Sequence, residues 1–248
     1  MQRSKPFPNS RDDLASSPGQ RSGQRFLVFG AHPDDEVVGV GGTIAKLAKT
    51  GNEVFVVIFT KGEEGYADRE LKDTISVLRE KEIERVRGIL GVKKYELMGR
   101  PDMGLKNDKE TFKETIRMIR KFRPDAVFTH HRIDRHRDHR AASKLVSEAF
   151  WQAGEAVAVD LGSPWRSRAL YYFEEVHPFR FPSHIVDISE TFDAKISAMK
   201  TYTSQLPVVP FILSGIEGQA IARGSAIGAK YGEAFLRSNA TPRRELEF

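Results

Sequence analysis

The feature that most constrains this chain is an alternation of short apolar runs with segments of helical period. Phe26-Leu-Val-Phe29 and Val54-Phe-Val-Val-Ile-Phe59 are continuously apolar, which suits strands buried on both faces of a parallel sheet. Between them, Val37 to Thr50 carries Ile44, Leu47 and Ala48 at helical spacing, and Gly51 follows as a helix-closing residue. The pattern continues with a helix over about residues 70–90, a strand at Tyr95-Glu-Leu-Met98, and a helix over 111–122 stopped by Pro124. A strand at Asp125-Ala-Val-Phe-Thr129 and a helix over 139–152 complete it. This β-α-β-α order predicts an α/β protein with one open, mostly parallel sheet flanked by helices. Past Gly154 the signal weakens to strands at 169–173 and 184–188 and a helix from a Ser189 cap to about Tyr202. The apolar stretch from Leu206 to Leu213 is expected to be a packed loop.

Two polar segments follow predicted strands and so fall at the carboxyl edge of the sheet, where open α/β folds bind ligands. One is His32-Pro-Asp34-Asp35-Glu36; the other, Thr129-His130-His131-Arg-Ile-Asp134-Arg-His136-Arg-Asp138-His139, holds four of the seven histidines. The chain has no cysteine, so any transition metal must rest on histidine and carboxylate. Three consecutive carboxylates repel one another unless a cation is near. His32 and Asp35, three apart across a turn, can address one ion, and a histidine of the second segment would complete the set. Three protein ligands leave a position open for water, and a remaining acid can take its proton. The competing reading makes the first segment a helix start with acids favoured by the helix dipole, and the second a solvated basic loop.

Ala31-His-Pro-Asp-Asp-Glu36, Gly41-Gly42-Thr43 and the His136-Arg-Asp-His139 element together resemble the LmbE/PIG-L family of zinc-dependent N-acetylglucosaminyl deacetylases. The likeness runs on through Arg79-x-x-Glu82, Leu90-Gly91, Pro101-Asp102-Met-Gly104, Asp187-Ile-Ser with Lys195, Ser204-Gln205 and Tyr231-Gly-Glu-Ala-Phe235. It implies a Rossmann-like single domain and one zinc ion per chain held by His32, Asp35 and His139. It further implies Asp34 as general base toward the attacking water. His136 would act as electrophile for the oxyanion and acid to the leaving amine, oriented by Asp138, and Arg79 and Asp102 would contact sugar hydroxyls. Arg137 stands where family members often carry proline. The expected activity is removal of the acetyl group from an N-acetylated amino sugar, releasing acetate. Alternatives are an amidase acting on a thiol-sugar conjugate or glycopeptide, and a metal-binding protein without turnover.

Composition narrows the partners. The net charge is +5, and residues 1–25 hold five basic against two acidic residues, so the rest is nearly neutral. That disfavours a nucleic-acid partner. Residues 1–24 lack an apolar pattern and are expected to be a disordered tail before a domain spanning 25–240. Neither a secretory apolar segment nor a run of about 20 apolar residues is present, so a cytoplasmic protein with no membrane span is expected. The expected partner is a small N-acetylated sugar, with a homo-oligomer possible. Gly39-Val-Gly41-Gly42 lacks the spacing of a dinucleotide-binding loop and is expected to serve close helix packing.

Overall fold

The computed structural model describes residues 23–175 and 177–239. The expected tail, residues 1–24, lies outside the described residues apart from Gly23 and Gln24. The first half alternates as its sequence does: β1 (Arg25–Gly30), α1 (Asp35–Lys49), β2 (Glu53–Thr60), α2 (Ile75–Leu90), β3 (Lys94–Arg100), α3 (Lys109–Phe122), β4 (Ala126–His130) and α4 (Arg137–Gln152). The second half adds β5 (Ala169–Phe173), β6 (His184–Asp187), α5 (Phe192–Thr201), α6 (Ile212–Ser225) and β7 (Gly232–Arg237). The seven strands form one sheet in the order β3-β2-β1-β4-β5-β7-β6. The first five run parallel, and β7 is antiparallel to both β5 and β6. The fold is α/β, as expected.

The continuous apolar runs are explained by burial on both faces. Phe26 and Val28 of β1 join one core with Val37, Val40 and Ile44 of α1 and with Ile83 and Val86 of α2. Leu27 and Phe29 point to the other, shared with Ile116 and Ile119 of α3 and Leu145 and Val146 of α4. Helix α1 approaches the sheet very closely. A Cβ on Gly39 would lie 2.2 Å from the Phe173 ring of β5, so any side chain here would force the ring or the helix to shift. A buried ion pair also grips the middle of α1. Glu233 of β7 accepts from the Gly42 and Thr43 N–H groups at 2.9 and 2.7 Å, and Lys195 of α5 donates to the Val38 carbonyl at 2.8 Å. The two side chains meet at 2.6 Å.

Three expectations are corrected. The helix expected from residue 70 starts at Ile75; Arg69–Leu71 forms a separate single turn, and Thr74 is the residue that begins α2. Ser189 does not cap α5, which starts after Thr191; its hydroxyl donates to Asp187 instead, at 2.6 Å. The stretch from Leu206 is not a packed loop: Val208, Val209 and Phe211 are 40%, 45% and 79% exposed, and Ile212 already begins α6. Among the described residues, no helix is long and apolar enough to cross a membrane.

Candidate metal centre

Strands β1 and β4 are sheet neighbours, although β2 and β3 intervene in the chain. Their connections therefore leave in opposite directions and open a crevice at their carboxyl ends. His32, Asp34 and Asp35 follow β1, and His130 to His139 end or follow β4, so both polar segments reach this crevice.

His32 and His139 face each other in a specific way. Nδ1 of His32 lies 3.3 Å from Nε2 of His139, and the Asp35 carboxylate lies 3.5 Å from each. The outer nitrogens lie against carboxylates. His32 Nε2 is 3.1 Å from Asp102 and 3.3 Å from Asp138; His139 Nδ1 is 3.2 Å from Asp134 and 3.3 Å from Glu175. A neutral imidazole carries one proton, and facing carboxylates draw it to the outer nitrogen. Two inner lone pairs and a carboxylate are then left facing one another, an arrangement that asks for a cation between them. Tetrahedral zinc with bonds of about 2.0–2.1 Å holds its ligands about 3.3 Å apart, which is the spacing of the two imidazole nitrogens, while Oδ2 of Asp35 faces His32 and Oδ1 faces His139.

The electrostatics agree. Burial pulls the His32 pKa down, but Asp35, Asp102 and Asp138 outweigh it and raise it well above the usual value. For Asp35, burial acts upward, and the charges of His139, His130 and His32 overcome it, holding the carboxyl well below its usual range. Glu175 is pushed well up by burial and by the Asp35 charge. A site this rich in carboxylates is relieved by a bound cation.

Asp34 sits apart from the donor set. It begins α1 with φ 114°, a left-handed backbone that costs an L-residue about 1–3 kcal/mol. Burial raises its pKa to about 6 against the opposing charge of Arg79, whose Nη2 lies 3.2 Å from the Asp34 carboxylate. Arg79 is only 2% exposed and also donates to the carbonyls of Pro33 and Gly62. A Cβ on Gly62 or Gly65 would lie 2.3 or 2.5 Å from its guanidinium, so the loop after β2 wraps this side chain. That loop is tied down in turn, since Gln205 donates to the Gly65 carbonyl at 2.9 Å. Glu82, a turn beyond Arg79, accepts from Thr203 and Ser204.

His136 starts α4, and its Nδ1 accepts the Asp138 N–H at 3.3 Å. That bond puts the ring proton of the neutral form on Nε2. Burial, then the charges of His32 and His139, lower its pKa. The Asp138 carboxylate, expected to orient His136, instead meets His32 and the Leu105 N–H, so only its backbone reaches His136. Asp102, expected at sugar hydroxyls, lies against His32, and Glu64 and Met103 donate their N–H groups to it. Three contributors were missed: Glu36, Asp134 and Glu175. His130 Nε2 lies 2.9 Å from Asp35 and its Nδ1 3.2 Å from Glu175. Glu175 lies two residues past the end of β5, and the rule that ligand-binding groups follow parallel strands was the signal that could have found it.

Fold and site together define an open α/β protein with a histidine–carboxylate cluster that could hold a cation at its topological switch point. Comparison with known proteins narrows this class. Residues 27–150 match the family model PIG-L, described as GlcNAc-PI de-N-acetylase. Diacetylchitobiose deacetylase of Thermococcus kodakarensis is 33% identical over 195 residues, covering 74% of this chain and 71% of that protein. A 1D-myo-inositol 2-acetamido-2-deoxy-alpha-D-glucopyranoside deacetylase of a Mycobacterium species is 28% identical, with 75% of each chain covered. The solved structure of N,N'-diacetylchitobiose deacetylase from Pyrococcus horikoshii superimposes with a TM-score of 0.80 at 30% identity, covering 88% of this chain and 84% of that one. The chain belongs to the PIG-L family.

Proposed function

We propose that this chain is a zinc-dependent hydrolase that removes the N-acetyl group from an N-acetylglucosamine-containing substrate and releases acetate. The observation that carries this reading is the pair of imidazoles whose inner nitrogens face each other beside Asp35 while their outer nitrogens rest on carboxylates. The deacetylase relatives support it, and β1 through β7 support one catalytic domain over residues 25–240.

His32, Asp35 and His139 would hold the ion, which when bound supplies Lewis acidity toward a water and toward the amide carbonyl. Asp34 takes the proton from the attacking water. A pKa of about 6 brings it closer to neutral pH than an ordinary aspartate, so it accepts that proton with less loss. His136 keeps a proton on Nε2 because its Nδ1 is engaged, so it can donate a hydrogen bond to the developing oxyanion, while the leaving amine takes the proton that Asp34 removed from the water. Arg79 holds the Asp34 carboxylate, and Asp102 and Asp138 hold His32. Sugar hydroxyls would reach Arg79 and Asp102 only by competing with these contacts.

The test is amine release from N-acetylglucosamine, N,N'-diacetylchitobiose and a GlcNAc-inositol, with and without chelator. Release that stops with chelator and returns with zinc is expected. Release from none of them, or release indifferent to chelator, would sink the proposal.

A further inference from the structure

Asp34 is asked to do two things at once: begin a helix and keep its carboxylate free. A helix-starting aspartate ordinarily spends its side chain on backbone N–H groups of the first turn. Asp34 makes no such bond, and its backbone lies at φ 114°, where an L-residue stays only if its surroundings hold it.

The holding group is Glu36. Its Oε2 accepts the Asp34 N–H at 3.1 Å. Its Oε1 accepts from the Tyr202 hydroxyl at 2.8 Å and from the Tyr95 hydroxyl at 3.1 Å. Glu36 and Tyr202 are both fully buried, and the tyrosines come from β3 and the end of α5. Among the described residues, no lysine or arginine bonds to this carboxyl, so burial here is a cost that an apolar residue would avoid. Its neighbours Val37 and Val40 show what the core side of α1 otherwise selects. Each oxygen of Glu36 is nonetheless engaged, one by the Asp34 backbone and the other by two fixed hydroxyls.

We infer that Glu36, anchored by Tyr95 and Tyr202, is a positioning residue that holds Asp34 in its left-handed backbone and so keeps the base beside Arg79 and the metal centre. The inference rests on the deacetylase reading for its kinetic consequence, though not for its structural one.

Two variants of the full chain separate the possibilities. Glu36→Gln keeps an oxygen for the Asp34 N–H, and the tyrosine hydroxyls can turn to accept from its amide. Glu36→Met fills the same volume without an acceptor. Glu36→Met is expected to lower kcat about 10–100-fold, the usual range for lost supporting contacts, with KM and zinc content unchanged. Glu36→Gln is expected to stay within about threefold of the parent, because the hydrogen bond survives. Crystal structures should find Asp34 released from positive φ and parted from Arg79 in the Met variant but not in the Gln variant. If Glu36→Met yields no folded protein, Tyr202→Phe removes one anchor, and a several-fold drop in kcat at constant KM is expected. The inference is overturned if Glu36→Met turns over normally with Asp34 unmoved, if Gln falls as far as Met, if the Met variant loses zinc, or if Tyr202→Phe leaves kcat unchanged. A parent protein that releases no amine from any N-acetyl sugar sinks the deacetylase reading alone; the position of Asp34 in the Met variant still decides the role of Glu36.

Discussion

Asp34 and Asp35 are adjacent in sequence and opposite in surroundings, because the backbone turns between them. Asp35 accepts the His32 N–H at 2.7 Å and lies among three histidines, which hold its carboxyl below the usual range, the ionised form that the proposed ligand role requires. Asp34 lies across from Arg79 with its pKa raised to about 6. Asp34→Asn is therefore expected to lower turnover by ~10²–10⁴-fold while zinc stays bound. Asp35→Asn and His139→Ala should instead lose zinc, and elemental analysis beside steady-state kinetics checks all three. Near-normal turnover in Asp34→Asn would mean that the base lies elsewhere. The carboxylates behind His139 carry a related expectation. Glu175→Gln or Asp134→Asn should weaken zinc by ~10–100-fold in a chelator competition, through loss of the group that orients the imidazole.

At the scale of elements, the site depends on how closely α1 can lie on the sheet. Of the glycines that lack a dinucleotide-binding spacing, Gly39 is spent on this contact, since a Cβ there would lie 2.2 Å from the Phe173 ring, and Gly42 faces Ile188 beyond β6. Gly39→Ala should cost about 1–3 kcal/mol through overpacking against Phe173, read as a lower urea midpoint at constant slope. Lys195→Met tests the ion pair that grips α1. It strands Glu233, only 4% exposed, without its cation, and should cost about 3–5 kcal/mol. Lys195→Met combined with Glu233→Gln should recover part of that loss; equal instability of the single and double variants would show that the charge is not what matters. The start of α4 is more tolerant. Arg137 occupies its first turn, where proline also fits, and the capping bond is made by the His136 ring whichever residue follows.

Across the whole molecule, folding and metal binding should be linked. The folded chain gathers Asp35, Asp102, Asp134, Asp138 and Glu175 around two imidazoles, and the unfolded chain does not. Zinc at 1,000 times its dissociation constant would stabilise the fold by about 4 kcal/mol, so chelator should lower the melting temperature measurably. A chelator-independent melting temperature would argue that the donor set is filled by protons alone. Removal of residues 1–22 should leave melting temperature and turnover nearly unchanged, since that stretch has no apolar pattern to bury. A fall of several degrees would show that it packs on the domain.

Local sequence was enough for the parallel half of the fold, because a strand buried on both faces needs apolar residues throughout and a helix beside it needs them every three to four positions. The same order of elements put two histidine-rich segments at one sheet edge, and the absence of cysteine narrowed the ligand types. Helix α6 and strand β7 were not legible. The helix carries Gly215, Gly218 and Gly224, which weaken its local preference, and a Cβ at Gly224 would lie 2.7 Å from the Ala229 carbonyl, so the chain that follows the helix packs against it only because glycine stands there. The site divides along the same line. Which residues can ligate or transfer protons is a property of side chains and can be read one residue at a time. Which nitrogen of His139 is free, which carboxylate backs His32, and what holds Asp34 at positive φ depend on Glu175, Asp102 and Tyr202, which lie 36, 70 and 168 positions away in sequence. Only the packing of β3, β5 and α5 around the β1–β4 crevice brings them there, because such contacts follow from the path of the chain and leave no periodic trace in it.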